Sequence, residues 1–292
     1  MPATASNLLF IINPGSGNKN IDWKKEIETF LSPRSDHFEI YEIPDPCEPK
    51  VIKQKIESLS PTKVIAVGGD GTVKLVAGCL LLTKIPLGIL PAGSANGMAK
   101  ELKIPADAKG ALDVVMNGLL KKIHLVKIND QICIHLADIG FNAFVVKKFE
   151  DENTRGMWGY IKAAWKVLRN HSKMDVGIKI DDEYIQREGA MVVIANASTY
   201  GNGVMINPKG TLEDDLFEVV IIKKISFSEI FKMRFTQGDY NPQKTELLQT
   251  RSLKIKSKRK VHFQVDGEYR GKIDKIDAEI IPEALTVIVS AV

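Results

Sequence analysis

Short apolar runs alternate with segments of helical periodicity along the first 120 residues. The apolar runs predict buried strands over residues 8–12, 64–67 and 86–90, and the alternating residues 38–43 predict a further strand. Between and after them, apolar positions at helical spacing predict helices over residues 22–31, 48–59, 73–82, 98–102 and 106–120. Regular alternation of strand and helix predicts a parallel sheet covered by helices, the architecture of an α/β domain.

After residue 120 the pattern changes to short alternating runs separated by turn residues. These runs predict strands over residues 123–128, 131–136, 175–180, 184–187, 190–196, 216–223, 252–256, 261–265 and 285–290. Successive strands joined by short turns favour antiparallel pairing in a sandwich or half-barrel. We therefore expect an α/β domain over residues 1–120 and a mainly antiparallel β domain over residues 121–292.

Composition narrows the class of protein. The 292 residues are 44% hydrophobic and 26% charged, which is typical of a globular protein with two domains. A formal charge of +4 is too small to indicate nucleic-acid binding. Three cysteines without a Cys-x-x-Cys pair predict reduced thiols in the cytoplasm. No signal peptide or transmembrane segment is recognisable, so a lipid substrate would be reached from outside the bilayer. A homodimer is left open.

Three glycine-bearing loops carry the candidate chemistry. They cover residues 13–19, 68–72 and 93–97 and follow the first, third and fourth predicted strands. Carboxyl ends of parallel strands share one sheet edge, so we expect the loops to converge there. Glycine-exposed backbone amides beside a helix start suit a phosphate, and the carboxylate of Asp70 suits Mg²⁺ or a transferable proton. Thr72 is the predicted cap of the following helix. The loop at 68–72, taken alone, is also compatible with an ordinary tight turn.

The spacing of these loops excludes two common nucleotide motifs. Residues 15–19 do not have the spacing of a P-loop, and no Gly-x-Gly-x-x-Gly follows the first strand. The combined motifs instead resemble those of the diacylglycerol kinase catalytic family, which includes bacterial lipid kinases, sphingosine kinases and ceramide kinases. They are Asn13-Pro14-x-Ser16-Gly17, Gly68-Gly69-Asp70-Gly71-Thr72 and Pro91-Ala92-Gly93-Ser94-Ala95-Asn96-Gly97-Met98-Ala99. The Gly-Gly-Asp-Gly-Thr element alone also occurs in NAD kinases and phosphofructokinases.

This resemblance implies a fold like that of NAD kinases and lipid kinases, with the active site in the interdomain cleft, and it implies ATP and Mg²⁺ as cofactors. It further implies a set of nucleotide-binding residues, of which Asp70 is also a metal ligand and a catalytic residue. The set is Asn13, Pro14, Ser16, Gly17, Gly68, Gly69, Asp70, Gly71, Thr72, Gly93, Ser94, Asn96 and Arg155.

A late motif, Val265-Asp266-Gly267-Glu268, resembles the Asp-Gly-Glu motif of the family. The resemblance makes Glu268 a general base that lies across the cleft from Asp70 and takes the proton of the acceptor hydroxyl. A hairpin turn is the alternative interpretation, because Asp-Gly between strands is a common turn signal.

A second acidic segment, residues 212–216, resembles the site where bacterial members hold a structural Mg²⁺. Asp214 falls on the metal-binding aspartate, and the backbone of Thr211 and Leu216 would supply further ligands. Asp215 stands where the family usually has glycine, and an acidic surface turn is the alternative.

Two positions depart from the bacterial pattern. Gly97 and His124 stand where bacterial lipid kinases have aspartates that join the nucleotide–metal network. Their absence leaves Asp70 as the main acidic candidate for the active-site Mg²⁺, and the loop around Gly97 is closer to sphingosine and ceramide kinases. His124 could bond a phosphate or carboxylate, or be a strand histidine satisfied by its neighbours.

Two basic features are candidates for contact with a membrane surface. Residues 156–171 predict an amphipathic basic helix with Trp158 and Trp165 on its apolar face, although such a face most often packs on a core. A basic strand over residues 251–260 could meet anionic lipid, although a solvated strand face is the usual explanation of such a pattern. Phe141, Phe144 and Trp158 lie where the family has its lipid pocket.

The sequence thus predicts an ATP- and Mg²⁺-dependent kinase of a lipid hydroxyl, cytoplasmic and able to bind membranes peripherally. Diacylglycerol and sphingoid-type lipids are the candidate acceptors. Two alternatives stay open: a kinase of a soluble substrate such as NAD, and a non-catalytic nucleotide- or lipid-binding relative.

Overall fold

The protein folds into two compact units. The computed structural model describes residues 6–17, 21–151, 173–180, 182–200, 204–205, 210–224 and 241–291. One unit comprises Met1–Ile123 and Glu283–Val292, and the other comprises His124–Pro282. The sequence had placed the division at residue 120 and had assigned all of residues 121–292 to the second domain.

The first unit is an α/β domain. Its elements are β1 (Asn7–Ile12), α1 (Trp23–Leu31), β2 (His37–Glu42), α2 (Pro49–Leu59), β3 (Lys63–Gly68), α3 (Asp70–Leu80), β4 (Leu87–Pro91), α4 (Gly97–Glu101) and α5 (Ala108–Asn117). Strands β2, β1, β3 and β4 pair in parallel in that order. The predicted strand–helix alternation and its parallel sheet are confirmed.

The end of the chain completes this sheet. The last strand, β16 (Glu268–Val289), pairs in parallel with β4 at Val287 and Leu87, both of which are fully buried. Burial against the α/β sheet explains why Glu283–Val292 belongs to the first unit.

Local sequence explains where most helices of this unit begin. The Asp22 carboxylate accepts a hydrogen bond from Lys25 N and caps α1, while α2 begins at Pro49. The helix α3 was predicted, but its predicted start was wrong: the helix begins at Asp70 instead of Val73, with Gly69 as its cap residue. Thr72 is not the cap, because it lies in the first turn of the helix.

The second unit is mainly antiparallel. Its elements are β5 (Leu119–Ile128, shared with the first unit), β6 (Gln131–Cys133), β7 (Leu136–Gly140), α6 (Phe141–Asp151), β8 (Met174–Ile180), β9 (Glu183–Gly189), β10 (Met191–Ala195), β11 (Thr199–Tyr200), β12 (Val204–Met205), β13 (Phe217–Ile222), β14 (Thr245–Thr250), β15 (Ser252–Val265) and the first part of β16. Neighbouring strands run in the order β14-β13-β10-β7-β15-β16. The predicted antiparallel β domain is confirmed.

Strand β15 joins two parts of this unit. Its first half pairs with β8 and its last three residues pair with β7, so both sets of strands share the buried core. The sequence predicted two strands here, because Lys258, Arg259 and Lys260 interrupt the apolar alternation. These residues are exposed within one continuous strand, next to a register shift between Lys256 and Val261.

Helix α6 and strand β14 were not predicted. The helix starts directly after β7, where Gly140 adopts φ +104° and lets the chain turn sharply. Among the described residues, no helix has both the length and the apolarity needed to cross a bilayer. Cys47, Cys79 and Cys133 form no disulfide bond with one another.

Candidate functional site

Three loops of the first unit meet beyond the carboxyl ends of β1, β3 and β4. Asn13 Nδ2 donates to Thr72 Oγ1 at 3.1 Å, which links the first loop to the second. A Cβ atom added to Gly93 would lie 2.4 Å from the Cα of Gly69, so the second and third loops are in backbone contact. A Cβ atom on Gly17 would lie 2.6 Å from Ser94 Oγ. The structure therefore brings the three predicted loops together.

Asp70 locks the second loop to the third. Its two carboxylate oxygens accept hydrogen bonds from the backbone amides of Gly97 and Met98, each at 3.0 Å. Both donors lie in the first turn of α4 and are buried. A carboxylate oxygen has a further lone pair, so Asp70 can hold this loop and still contact a cation.

The two asparagines of the site shape their own loops. Asn96 Oδ1 accepts from Gly93 N and its Nδ2 donates to Gly93 O, both at 2.8 Å. Asn13 Oδ1 accepts from Gly15 N at 2.9 Å. Because these amide groups are already used within the protein, we expect backbone amides and hydroxyl groups to supply most of the donors for an anion.

Such donors are present at the loop edge. The hydroxyl of Ser16 is buried and has no hydrogen-bond partner among the described residues. No described side chain caps the start of α3, which leaves the first backbone amides of that helix available to an anion. Pro14, Gly17, Gly71 and Ser94 are exposed around this edge, and Gly68 packs tightly against Thr72.

Glu268 follows a two-residue hairpin turn in the second unit. Asp266 and Gly267 both have positive φ, +50° and +83°, between the paired residues Val265 and Glu268. These angles suit the tight turns that join antiparallel strands, so the hairpin interpretation of the backbone is correct. The side chain of Glu268 is half exposed and pairs with Arg270.

Buried polar groups hold this turn. The Asp266 carboxylate accepts from the backbone amides of Ile134, His135 and Leu136 at 2.9–3.2 Å. Gln264 Oε1 accepts from Gly267 N at 2.8 Å, and Gln264 Nε2 donates to Asp138.

Asp138 was missed by the sequence reasoning. Burial raises its pKa to about 6, against the opposing effect of hydrogen bonds from Asn142, Gln264 and Ala143. A single carboxylate inside the apolar run of β7 was the available signal, because such a residue needs buried partners.

The Asp214 segment has one feature that points to a cation. Asp214 Oδ1 is buried and has no hydrogen-bond partner among the described residues. Burial raises the pKa of this carboxyl group, while a hydrogen bond from the backbone of Leu216 and the nearby His124 oppose that shift. Asp215 points elsewhere, because it pairs with Arg251. A buried, unpaired carboxylate oxygen fits a hard cation such as Mg²⁺.

His124 contacts the same segment. Its Nε2 lies 3.0 Å from the carbonyl oxygen of Glu213, and its backbone amide donates to Leu212 O. No cluster of three or more His, Cys, Asp or Glu side chains with metal-binding geometry occurs in the described part of the chain.

Some predicted site residues lie outside the described residues. These are Arg155 and the helix predicted over residues 156–171, with Trp158 and Trp165. Of the predicted lipid-pocket residues, Phe141 is buried and Phe144 stacks on His262 with ring centroids 4.5 Å apart.

The basic strand over residues 251–260 is less basic than its sequence indicates. Arg251, Lys254 and Lys258 pair with Asp215, Asp277 and Asp175, respectively. Such pairing favours a solvated strand face of mixed charge.

Comparisons with known proteins agree with this arrangement. The sequence model of the diacylglycerol kinase catalytic domain matches residues 7–128, and that of the YegS C-terminal NAD kinase β-sandwich-like domain matches residues 136–289. A diacylglycerol kinase of Staphylococcus epidermidis is 28% identical over 217 residues, covering 72% of this chain and 69% of that protein. An uncharacterised Synechocystis protein is 30% identical over 77% of this chain, and the match spans only 54% of that relative's length.

Solved structures show the same fold. A diacylglycerol kinase from Bacillus anthracis superposes with a TM-score of 0.78 at 17% identity, covering 98% of this chain and 97% of the other. Yeast NADH kinase has a TM-score of 0.59 at 13% identity, covering 99% and 85% of the two chains. With both family models matched in order along the chain, the protein belongs to the family that combines a diacylglycerol kinase catalytic domain with a YegS C-terminal β-sandwich-like domain.

Proposed function

We propose that this protein transfers the γ-phosphate of ATP to the hydroxyl group of a lipid, with diacylglycerol as the first candidate and sphingoid-type lipids as the second. The observation that carries the proposal is the convergence of three glycine loops, locked by the Asp70 carboxylate on Gly97 and Met98. Membership of a lipid kinase family supports the same reaction class.

The nucleotide phosphates bind at the edge formed by these loops. The first amides of α3, the buried Ser16 hydroxyl and the exposed Ser94 supply donors, and Asn13, Asn96 and the glycines keep the loops close. Arg155 is a further candidate phosphate contact. Asp70 would hold a Mg²⁺ ion, which would supply positive charge to offset that of the phosphates.

Glu268 acts as the general base. It takes the proton of the lipid hydroxyl as the hydroxyl oxygen forms a bond to the γ-phosphorus and the bond from that phosphorus to ADP breaks. Glu268 now pairs with the exposed Arg270. Because an exposed ion pair contributes little free energy, Glu268 can give it up to bind the acceptor hydroxyl. The lipid stays in its bilayer, and the protein works at the membrane surface.

Asp214 would hold a second, structural Mg²⁺ together with backbone oxygens of Thr211 and Leu216. The buried, unpaired Oδ1 supports this assignment. Asp214→Asn should then abolish the gain in thermal stability that Mg²⁺ gives the wild type, whereas Asp215→Asn should retain it.

Two other functions remain as alternatives. The likeness to yeast NADH kinase is a likeness of fold and gives a soluble dinucleotide acceptor little weight. A non-catalytic role is favoured by Gly97 and His124, because they stand where bacterial lipid kinases have aspartates and so leave fewer acidic groups for the nucleotide and its metal.

The test is ATP consumption with Mg²⁺ against diacylglycerol, sphingosine, ceramide, phosphatidylglycerol and NAD. Glu268→Gln should lower lipid-dependent turnover by about 10²–10⁴-fold. Glu279→Gln is the matched control, because Glu279 is an exposed carboxylate on the same strand that pairs with Lys127. Turnover with NAD alone would refute the lipid proposal, and ATP binding without any turnover would favour the non-catalytic role.

A further inference from the structure

We propose that Asp138 is a positioning residue for Glu268 and acts through the side-chain amide of Gln264. The proposal rests on the function given to Glu268 above. Asp138 lies on β7, is 1% exposed, and does not itself reach the solvent-facing carboxylate of Glu268 through any described hydrogen bond.

The Asp138 carboxylate is surrounded by donors. It accepts from Asn142 Nδ2 at 2.5 Å, from Ala143 N at 2.8 Å, and from Gln264 Nε2. An ionised carboxylate can only accept hydrogen bonds, so Gln264 must turn its NH₂ group toward Asp138.

This constraint also determines where the side-chain oxygen of Gln264 points. Gln264 is fully buried, and its oxygen accepts from Gly267 N in the turn immediately before Glu268. If the amide flipped, its NH₂ group would face the Gly267 N–H, donor against donor, and its oxygen would face the Asp138 carboxylate, acceptor against acceptor. Asp138 therefore keeps Gln264 in the one orientation that holds the turn.

A second contact chain runs from α6 to the residue after Glu268. Ala143 N, one of the Asp138 donors, lies in the first turn of α6. Phe144 of the same helix stacks on His262, and His262 Nδ1 lies 2.9 Å from Tyr269 Oη. Both neighbours of Glu268 in the sequence are thus held by groups that Asp138 organises.

The first test is Asp138→Asn, which preserves size and replaces one acceptor by a donor. If Ala143 N keeps its acceptor, the new NH₂ group faces Gln264, which must flip or lose its bond. We expect kcat for the lipid to fall about 10–100-fold with KM for ATP unchanged, because small misplacements of a catalytic group have effects of this size.

A complementary double variant separates positioning from stability. In Asp138→Asn/Gln264→Glu, the amide at position 138 donates to one oxygen at position 264, and the other oxygen accepts from Gly267 N. We expect most of the kcat to return. Asp138→Asn/Asn142→Asp retains the net charge but leaves two NH₂ groups facing each other, and kcat should stay low. Equal recovery in both double variants, or an unchanged kcat in Asp138→Asn, would overturn the proposal.

Nuclear magnetic resonance tests the geometry without turnover. The sequence contains two Asp-Gly pairs, at 70–71 and 266–267, so carbonyl-¹³C aspartate with ¹⁵N glycine selects two amides. In Asp138→Asn the Gly267 amide proton should move upfield as its hydrogen bond weakens and return in the Gln264→Glu double variant, while Gly71 serves as internal reference. An unmoved Gly267 signal refutes the proposal.

These outcomes distinguish the two proposals. A wild-type protein without lipid turnover refutes the proposed kinase activity, and a shifted Gly267 signal in the variant would still support Asp138 as the residue that holds the turn. If Asp138→Asn does not fold, Gln264→Met gives the same test, because it removes both polar ends of the link and should produce the same loss of kcat.

Discussion

At the scale of single residues, Asp70 combines a structural bond with a proposed catalytic role. In the wild type each of two backbone amides donates to its own oxygen of the Asp70 carboxylate. The side chain of Asp70→Asn has only one oxygen, so the N–H of Gly97 or of Met98 loses its acceptor. We expect the free energy of unfolding to fall by about 1–3 kcal/mol and ATP consumption to fall at least about tenfold. Asp113→Asn on the exposed side of α5 is the control and should change stability by less than about 0.5 kcal/mol. Urea unfolding measures the stability of both variants, and the turnover assay measures their ATP consumption. An Asp70→Asn variant of wild-type stability would contradict the structure.

The raised pKa of Asp138 predicts that the stability of the protein depends on pH. This pKa is about 6 in the folded protein, against about 3.9 in an unfolded chain. Between these values the unfolded chain releases the proton that the folded protein retains, so stability falls as pH rises. The free energy of unfolding of wild type, relative to Asp138→Asn, should fall by about 2–3 kcal/mol from pH 4 to pH 7. Urea titrations of both proteins across this range test it, and parallel pH profiles would contradict it.

The sequence predicted those residues whose roles depend on their immediate neighbours in the chain, and missed those whose roles depend on distant residues. Asp70 and the glycines stand in contiguous motifs and were found. The capping role of Thr72 was predicted wrongly, because its hydroxyl accepts from Asn13, 59 positions earlier. Asp138 and Gln264 were missed for the same reason, since they are 126 positions apart. Each is a polar residue between two apolar neighbours, and the sequence does not show that they are partners.

At the scale of elements, the close approach of two loops requires glycine. In Gly93→Ala the new Cβ would lie 2.4 Å from Gly69 Cα and 2.9 Å from Asn96 Oδ1, so the second and third loops must separate. We expect KM for ATP to rise at least about tenfold, since misplacement by about 1 Å can have such effects. Titration of ATP in the turnover assay, or direct nucleotide binding, measures the change.

Gly78→Ala is the matched control for that experiment. Gly78 lies inside α3, and an added Cβ would have no neighbour within 4 Å. Alanine should therefore stabilise the protein by about 0.5–1 kcal/mol and leave KM for ATP unchanged. An equal rise of KM in both variants would show that helix α3, and not the contact between loops, controls nucleotide affinity.

The prediction of elements succeeded where a short segment carries its own pattern. Helix α1 has its cap at Asp22 and its buried residues at Trp23, Ile27 and Leu31, so its bounds were visible. Helix α6 lacks such signals, because its start depends on Gly140 and on the buried carboxylate of Asp138, whose partner Gln264 is distant in the sequence.

At the scale of the whole molecule, one strand serves both units. The first part of β16 pairs with β15 in the second unit, and its last residues pair with β4 in the first. The sequence could not predict this division, because residues 285–290 look like any other strand of the β domain. Only the pairing of Val287 with Leu87 of β4, 200 positions earlier, distinguishes them.

This shared strand predicts that two similar cavities have different consequences. Leu285 is buried in the first unit and Ile276 in the core of the second. Replacing either by alanine should cost about 2–5 kcal/mol. In Leu285→Ala, amide hydrogen exchange should accelerate in β3 and β4 and spare β8 and β15, and Ile276→Ala should give the reverse pattern. Because units of a protein can open separately, exchange followed by peptide mass spectrometry resolves the two. Uniform acceleration along the chain in both variants would mean that the units unfold together, and that the strand couples them into one cooperative structure.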